Sequence, residues 1–378
     1  MEKRKARILI IGGGFGGLFT ALELGAAGDV TLVNDDDHFV FAPLLYEYLS
    51  GEVEAWHIAP YFKDLLDDRI RFVRGSVTDV DFSRREAHIS NRQGALGYDV
   101  LILAPGGVTN YWNIAGAAEY ALPFRKIRHA DELRRRMTLA LDHMPPDSAP
   151  QDVREKLTFA VVGGGASGVE LSTKMADLLN DAFQRRNLRG EPRVVVFEMS
   201  DEIVPGMGEE IRDYVTDALK DARVEIHTNT RVVEVKPNSI VYEHNGVQSE
   251  LQTVAVVWTA GVKTSTLVER LDLEKDQRGL ILVEPTMQAS GRDEVFVLGD
   301  IARVEQLPPS LAGTAQLAFQ EASLVAENIK SYLSGRPTRP GRFEELGEAL
   351  SLGTENAAVL IGEKAIGCSL SRQALFAL

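Results

Sequence analysis

The sequence predicts an α/β fold in which two Rossmann-like βαβ units are followed by a short C-terminal element. Two glycine-rich turns carry this prediction, 12-GGGFGG-17 and 163-GGGASG-168, and each directly follows a short apolar run. Apolar runs that are stopped by glycines are typical of buried strands. Because the whole pattern occurs twice, it indicates a duplicated unit.

The elements of the two units follow the same order. In the first unit, Arg7–Ile11 is a strand, 18-LFTALELGAAG-28 is a helix and 30-VTLVN-34 is the second strand. In the second unit, Thr158–Val162 is a strand, a helix runs from about Val169, and Arg193–Glu198 is the second strand.

Further segments complete this organisation. Each unit has a later apolar strand that ends in small residues, 98-YDVLILAPGG-107 and 253-TVAVVWTAGV-262. The Pro- and Asp-rich stretch 144-MPPDSAPQD-152 indicates a linker or surface loop. A helix is predicted from 313–315 to about Tyr332, after the strand-like 295-VFVLGDIA-302.

The glycine spacing predicts two dinucleotide sites. Gly12, Gly14 and Gly17 fit G-x-G-x-x-G, and the second turn repeats the pattern with Gly163, Gly165 and Gly168. One glycine permits the tight turn, the next lets a pyrophosphate approach the backbone, and the third lets helix and strand pack closely. The N-terminus of the helix then faces the phosphate charge. Both matches lie in a strand–turn–helix context, as this chemistry requires.

Two dinucleotide sites in one chain indicate a flavin and a nicotinamide. We expect FAD in the first unit together with Gly299 and Asp300, since the carboxylate can bind ribityl hydroxyls. In the second unit Glu198 can accept hydrogen bonds from a ribose 2′-hydroxyl and would repel a 2′-phosphate. This favours NADH and leaves NADPH as an alternative. In the first unit Asn34 stands where an acid is expected, so either Asn34 or Asp35 binds the ribose.

The expected domain boundaries follow from these assignments. Residues 1–115 and 265–335 form the two parts of an FAD-binding domain, and residues 116–264 form an NAD(P)H-binding domain. Residues 336–378 form a C-terminal element for membrane or interface contact, and the sequence leaves open whether this element is truncated. Within it, 365-AIGCSLSRQALFAL-378 is expected to be a helix, either amphipathic on a bilayer or packed in a core or dimer.

Composition limits the electron acceptor. The 378 residues carry a net charge of −14, which disfavours nucleic acid as a partner, and include one cysteine, Cys368. A lone cysteine cannot form a CxxC redox pair, and the scattered histidines show no metal-ligand spacing. A flavin reduced by NADH must therefore reduce something that reaches it directly: oxygen, a quinone or a protein redox partner. We expect no secretory signal and no membrane span, so any membrane contact would be peripheral.

The chain resembles the type II NAD(P)H:quinone oxidoreductases, single-subunit flavoproteins with the pyridine nucleotide-disulfide oxidoreductase-like fold. The matching stretches cover nearly the whole chain: GGGFGGL from Gly12, GGGASGVELS from Gly163, VWTAGV from Val257, VFVLGDIA from Val295 and TAQLAFQEA from Thr314. The segments 39-FVFAPLLYEYLSGEVEAWHIAP-60 and 343-FEELGEALSLG-353 look most like the cyanobacterial and plastid branch. That branch includes enzymes implicated in reducing plastoquinone or demethylphylloquinone. The elements AQLAFQ and PLLYE are more specific than the glycine motifs.

This resemblance implies roles for individual residues. Gln316 and Gln320 would line the approach of the quinone, and Glu170 would relay protons near the flavin. The two glutamines share one helix face at i and i+4. Glu170 is expected in the first turn of its helix, where the macrodipole also favours a carboxylate. The resemblance places Val77 beside the adenine and Ala104, Pro105 and Gly106 near the flavin nucleotide. The remaining candidate cofactor-binding residues are Phe15, Gly16, Ala166, Ser167, Ala260, Gly261 and Ala315.

The resemblance also implies a location and partners. We expect a cytoplasmic protein that is peripheral on the inner face of a membrane through its C-terminal region, with a quinone as substrate and a homodimer as a candidate assembly. Two alternatives stay open at this point. One is a reductase of a small iron–sulfur protein such as ferredoxin or rubredoxin, and the other is a flavin-binding redox sensor. A basic docking face, which the first would need, is disfavoured by the net charge of −14.

Overall fold

The computed structural model describes residues 4–90, 92–305, 307, 309–361 and 364–368. The chain forms two compact units, and each is built from three separate segments. The first unit comprises Met1–Val40, Ala59–Val108 and Val262–Glu345. The second unit comprises Phe41–Ile58, Thr109–Gly261 and Leu346–Leu378.

The first unit is centred on a six-stranded sheet. Its strands in spatial order are Gln288–Ala289, Arg292–Val297, Val100–Leu103, Arg7–Ile11, Asp29–Asn34 and Ile70–Arg74. All neighbouring pairs are parallel except the first, which is antiparallel. Strand Val100–Leu103 is buried along its whole length, as expected for a central strand covered on both faces.

Helices and smaller sheets cover this core. Helix Phe15–Leu24 packs against helix Ala315–Leu333, and both bury apolar side chains. The remaining elements of the first unit are the antiparallel strands Val77–Asp81, Glu86–Ile89 and Leu96–Gly97, the paired strands Ile281–Leu282 and Ala302–Arg303, helices Phe62–Leu65 and Thr266–Arg270, and the 3-10 turns Gly25–Ala27 and Pro309–Leu311.

The second unit repeats the arrangement around a five-stranded parallel sheet. Its strands in spatial order are Val224–His227, Arg193–Phe197, Thr158–Val162, Ala255–Trp258 and Leu122–Pro123. Its helices are Leu45–Ser50, Ala55–Ile58, Ala117–Tyr120, Ile127–Asp142, Pro150–Lys156, Ala166–Arg185 and Glu209–Asp221, with a 3-10 turn at Ala42–Leu44. An antiparallel sheet is formed by Thr230–Lys236, Ser239–His244 and Val247–Gln252. The short strands Val108–Thr109 and Val262–Lys263 lie where the chain passes between units.

The structure divides the chain differently from the expected ranges. Segment Phe41–Ile58, expected in the first domain, belongs to the second unit because Leu45, Tyr46 and Leu49 are buried in that unit's core. Residues 336–345 belong to the first unit, whereas the chain from Leu346 onward belongs to the second. The expected loop 144–152 is partly wrong, since helix Pro150–Lys156 begins inside it with Pro at its start, a position that suits proline.

The C-terminal segment is a sheet rather than the expected helix. Strands Glu348–Leu352, Asn356–Ile361 and Lys364–Cys368 pair antiparallel in that order. The helical expectation is therefore wrong for residues 365–368, because their backbone groups pair with the preceding strand. Residues 369–378 lie outside the described part. In the described part of the chain, no helix is both long and apolar enough to cross a bilayer.

Candidate functional site

The first glycine turn has the close approaches that a dinucleotide-binding turn needs. Gly12 has φ +101°, and a Cβ there would lie 2.1 Å from the Ala104 carbonyl oxygen. A Cβ on Gly17 would lie 1.8 Å from the Gly12 carbonyl oxygen. A Cβ on Gly14, which caps the helix that begins at Phe15, would meet no atom within 4 Å. The turn is therefore tight towards the protein and open at Gly14, where a phosphate group would need space.

The second turn has the same geometry. Gly163 has φ +110°, and a Cβ there would lie 2.9 Å from the Ala260 backbone nitrogen. A Cβ on Gly168 would lie 1.8 Å from the Gly163 carbonyl oxygen, whereas Gly165 faces open space. Helix Ala166–Arg185 begins directly after Gly165, so Ala166 and Ser167 stand at its N-terminus.

A polar side chain holds each turn from the end of the neighbouring strand. The Gly13 N–H donates to Asn34 Oδ1 at 2.9 Å, and the Gly164 N–H donates to Glu198 Oε2 at 2.6 Å. Asn34 thus occupies in the first unit the position that Glu198 occupies in the second. The Asp35 carboxylate instead accepts from the Asp36 N–H at 3.0 Å. Of the two residues left open by the sequence, Asn34 is therefore the structural counterpart of Glu198.

Asp300 joins two loops at one end of the first unit's sheet. It follows Gly299, which has φ +75°, and its Oδ2 accepts from the Gly107 N–H at 3.1 Å. This contact brings Gly299 and Asp300 to the loop that contains Ala104, Pro105 and Gly106. Because Ala104 also lies against Gly12, the predicted flavin-side residues of these loops converge in the first unit.

A buried acid behind this turn was not predicted. Glu321 is fully buried, and its Oε2 accepts from the Gly299 N–H at 2.6 Å. Its Oε1 has no hydrogen-bond partner, and burial raises the pKa of this carboxyl to about 8. The available sequence signal was its place on the inner helix face, one turn after Leu317 and one turn before Leu324. An acid on an apolar face is rarely buried without a specific partner.

The two predicted glutamines lie near the start of helix Ala315–Leu333. Thr314 caps the helix, its Oγ1 accepting from the Leu317 N–H at 3.1 Å. Gln320 pairs with the Glu344 backbone in both directions, donating to its carbonyl at 2.8 Å and accepting from its N–H at 2.9 Å. Gln316 is half-buried, as is Ala315 at the first helical position.

An open cavity of about 470 Å³ lies beside Gln320. Its lining residues are Phe319, Gln320, Ser323, Leu324, Arg339, Pro340, Gly341, Arg342 and Phe343. Phe319 is 47% exposed and contacts the Phe19 ring edge-on at 4.8 Å between centroids. One side of Gln320 therefore borders an accessible space within the first unit, while its amide holds the chain at Glu344.

Glu170 belongs to the second unit. Helix Ala166–Arg185 begins earlier than expected, so Glu170 lies in its second turn and the first turn has no acid. Its Oε1 accepts from the Ser351 N–H at 2.9 Å. Burial raises the pKa of this carboxyl to about 8, with a smaller rise from Glu47 and opposing effects of Ser351 and Lys174. Glu170 can therefore hold a proton at neutral pH, as a proton donor must.

A buried ion network next to Glu170 was also missed. Lys174 has 1% side-chain exposure, and its Nζ lies 2.6 Å from Glu52 Oε1 and 3.6 Å from Glu47 Oε1. The sequence signals were a lysine on the inner face of an amphipathic helix and the acid of PLLYE. Neither alone indicated a partner.

The remaining predicted residues fall in separate places. Val77 begins strand Val77–Asp81 and packs on the first unit's core. In the second unit the Trp258 Nε1–H donates to the Ala260 carbonyl at 2.9 Å, and Gly261 has φ +87°. Gly16 packs against Leu298, since a Cβ there would lie 2.9 Å from Leu298 Cδ1.

Comparisons with known proteins agree with this architecture. A family model described as pyridine nucleotide-disulphide oxidoreductase matches residues 6–322. The demethylphylloquinone reductase NdbB of Synechocystis sp. is 34% identical over 371 residues, covering 95% of this chain and 87% of that protein. The type II NADH:quinone oxidoreductase Ndh of Mycobacterium tuberculosis is 32% identical over 376 residues, covering 95% of this chain and 80% of that protein.

A solved structure supports the same fold. The structure of NDH2 from Plasmodium falciparum in complex with NADH matches with a TM-score of 0.88 at 19% identity, covering 99% of this chain and 93% of that one. The predicted fold class and the predicted family are both confirmed, including the resemblance to a cyanobacterial relative. The chain belongs to the pyridine nucleotide-disulphide oxidoreductases and, within them, to the type II NADH:quinone oxidoreductases.

Proposed function

We propose that this enzyme passes a hydride from NADH to FAD and then two electrons from the flavin to a quinone. The observation that carries the proposal is the pair of matched glycine turns, each tight towards the protein and open at Gly14 or Gly165. Two such turns suit two dinucleotides. Direct hydride transfer requires the nicotinamide and the flavin to be bound by the same enzyme. The relatives' activities support the same reaction.

We propose that FAD binds to the first unit. Gly12 and Gly14 would admit its pyrophosphate, and Asn34 would bind the ribose. Asp300, held by the Gly107 N–H at 3.1 Å, would bind the ribityl hydroxyls. Val77 would lie beside the adenine, and the amides at the start of the helix near Ala315 would stabilise negative charge on the reduced ring. When bound, the flavin supplies the two-electron chemistry that the chain's own side chains lack.

We propose that NADH binds to the second unit through Gly163, Gly165, Glu198 and the segment Ala260–Gly261. Both oxygens of Glu198 accept from backbone N–H groups, at 2.6 Å from Gly164 and 2.8 Å from Ser200, so the carboxylate is fixed at the strand end. A fixed anion there binds a 2′-hydroxyl and repels a 2′-phosphate. NADPH is therefore expected to be the poorer donor.

We propose a lipid quinone as the acceptor, of the menaquinone, plastoquinone, ubiquinone or demethylphylloquinone class. Gln316 and Gln320 would line its approach. Since the Gln320 amide is bonded to Glu344, its contribution would be to shape the wall with its aliphatic part and to hold the 341–345 segment in place. Glu170 would supply a proton to the reduced quinone. A lipid substrate further suggests peripheral contact with the inner face of a membrane through the C-terminal region, and a homodimer is the assembly we propose.

Steady-state and stopped-flow kinetics on FAD-loaded protein would test these assignments. NADH and NADPH would each be tried against short-chain quinones, oxygen and ferredoxin. We expect NADH with quinone to be the fastest combination by at least about tenfold. Turnover only with oxygen, or faster electron transfer to ferredoxin than to any quinone, would contradict the proposal.

A further inference from the structure

Trp112 combines a large exposed side chain with a strained backbone. The residue is 62% exposed, and its backbone lies in the left-handed region at φ +52°. Asn113 follows at φ +56°. The left-handed conformation is an outlier for a bulky residue, and such outliers collect at ligand-binding and catalytic sites. A single exposed tryptophan would need no explanation, but one held on a strained turn does.

The turn around Trp112 is fixed at both ends within the second unit. The Asn110 N–H donates to the Gly261 carbonyl at 3.1 Å, and the Trp112 N–H donates to Asn110 Oδ1 at 3.0 Å. After the turn, the Val235 N–H donates to the Ala115 carbonyl at 2.8 Å. These hydrogen bonds hold the left-handed residues in place, as the persistence of backbone strain requires.

The indole of Trp112 lies on Gly261. A Cβ on Gly261 would be 2.8 Å from Trp112 Nε1 and 3.0 Å from its Cζ2, and Gly261 has φ +87°. Only glycine therefore fits beneath the ring. The buried Trp258 donates its Nε1–H to the Asn110 carbonyl at 3.0 Å and to the Ala260 carbonyl at 2.9 Å. This shared hydrogen joins the strained turn to the segment that is proposed above to bind NADH.

The order of the strands indicates which part of NADH would reach Trp112. Three neighbouring parallel strands end at one edge of the sheet, in the spatial order Arg193–Phe197, Thr158–Val162 and Ala255–Trp258. Glu198 follows the first strand, the glycine turn 163–168 follows the second, and Gly261 comes after the third. A dinucleotide with its adenosine ribose at Glu198 and its pyrophosphate at the turn would extend its nicotinamide half towards Gly261.

We propose that Trp112 is a binding residue for the nicotinamide half of NADH, with its indole packed against the nicotinamide ring. The proposal rests on the function proposed above, since it takes the second unit as the NADH site. An indole face stacks on flat aromatic rings, and it attracts the positive charge that the ring of NAD⁺ carries. Trp112 exchanges no atom or electron with the ligand in this scheme, because it acts only through this contact.

Calorimetric titrations of the oxidised, FAD-loaded protein with NAD⁺ and with ADP-ribose test the proposal. ADP-ribose keeps the adenosine, the pyrophosphate and the second ribose of NAD⁺ but lacks the nicotinamide, and neither ligand reduces the flavin. Trp112→Ala should weaken the binding of NAD⁺ by about tenfold. It should leave the dissociation constant of ADP-ribose unchanged, because the proposed contact is with the missing ring. Trp112→Phe should keep most of the affinity for NAD⁺, since a phenyl ring still stacks.

Trp56→Ala is the matched control. Trp56 is also a tryptophan of the second unit and is 71% exposed, but its ring packs on His57 at 3.6 Å between centroids. We expect its removal to change the binding of neither ligand. An equal loss of affinity for NAD⁺ and ADP-ribose in Trp112→Ala would overturn the proposal, and so would a loss in Trp56→Ala as large as that in Trp112→Ala.

A second variant and a second measurement guard against a variant that does not fold. Trp112→Gly removes the ring and suits the left-handed backbone, so it supplies the comparison if Trp112→Ala fails to fold. In wild type, NAD⁺ should quench part of the tryptophan fluorescence, whereas ADP-ribose should not. Trp112→Phe should lose most of this quenching while it still binds NAD⁺. Unchanged quenching in Trp112→Phe would refute the contact.

The same titrations separate this proposal from the function it rests on. If wild type binds both ligands and Trp112→Ala binds them equally well, the NADH site stands and the role of Trp112 is refuted. If wild type binds neither ligand, the assignment of NADH to the second unit is refuted together with the role of Trp112.

Discussion

Replacing Glu321 with glutamine should remove a large pH dependence from the stability of the first unit. Folding raises the pKa of this fully buried carboxyl from its ordinary 4.5 to about 8. The folded state therefore keeps a proton that the unfolded state has released. The free energy of unfolding then falls as pH rises from about 4.5 to about 8, and stays level above that value.

The expected size follows from the same numbers. At about 1.4 kcal/mol per pH unit, a rise from 4.5 to about 8 amounts to about 5 kcal/mol over the full window. Between about pH 5.5 and pH 7.5, which lies inside this window, the free energy of unfolding of the wild type falls by about 3 kcal/mol. Glu321→Gln keeps an acceptor for the Gly299 N–H and does not titrate, so this loss disappears. Its buried N–H groups add a cost of about 1–3 kcal/mol that is the same at every pH.

Hydrogen exchange can isolate the first unit. The backbone amides of the fully buried strand Val100–Leu103 exchange only when the first unit opens, so their protection gives the free energy of unfolding of that unit. Trp56, Trp112 and Trp258 all lie in the second unit, so tryptophan fluorescence during urea unfolding is an internal control that should not differ between the proteins. If the free energies of unfolding of wild type and Glu321→Gln differ by the same amount at pH 5.5 and pH 7.5, the assignment of a neutral Glu321 is refuted.

Four further substitutions test the first glycine turn, the choice of nicotinamide and the proposed quinone-lining residue Gln320. Gly14→Ala should leave the stability of the flavin-free protein within about 1 kcal/mol of wild type but abolish flavin binding. Gly17→Ala should unfold the first unit, because its Cβ would lie 1.8 Å from the Gly12 carbonyl oxygen. Calorimetry and bound-flavin absorbance distinguish the Gly14→Ala and Gly17→Ala variants, and equal stabilities of the two variants would contradict the geometry. Glu198→Gln should move the ratio of kcat/KM for NADPH over NADH upward by about tenfold, since the anion that repels a 2′-phosphate is gone; an unchanged ratio would remove Glu198 from the specificity argument. Gln320→Ala should lose both hydrogen bonds to Glu344 and expose that segment to hydrogen exchange, at a cost of about 1–3 kcal/mol, and unchanged exchange there would show that the pairing contributes nothing.

Local patterns allowed much of the fold to be predicted. Strands Arg7–Ile11 and Thr158–Val162 lie where the apolar runs indicated, because a short buried strand bounded by glycine is specified by its own residues. The glycine turns were predictable for the same reason. At the end of strand Asp29–Asn34 the sequence left Asn34 and Asp35 as candidates for binding the ribose. The hydrogen bond from the Gly13 N–H identifies Asn34 as the counterpart of Glu198.

The missed features depend on tertiary contacts. Lys174 meets Glu52 across 122 positions of sequence, and no local pattern encodes such a pairing. Segment Phe41–Ile58 joins the second unit because its apolar side chains complete a core built mainly from later residues. Strand Lys364–Cys368 forms because Asn356–Ile361 offers a free edge, which the apolar content of 365–378 did not reveal.

The hydrogen bond between Ser351 and Glu170 sets an order of events during synthesis. Its two residues lie 181 positions apart, so the ribosome completes the whole glycine turn and its helix long before Ser351 emerges. Until then the Glu170 carboxyl is exposed to water on the side that the C-terminal sheet later covers. Glu170, whose pKa burial raises to about 8 in the folded protein, thus takes its hydrogen-bond partner from a segment made 181 positions later.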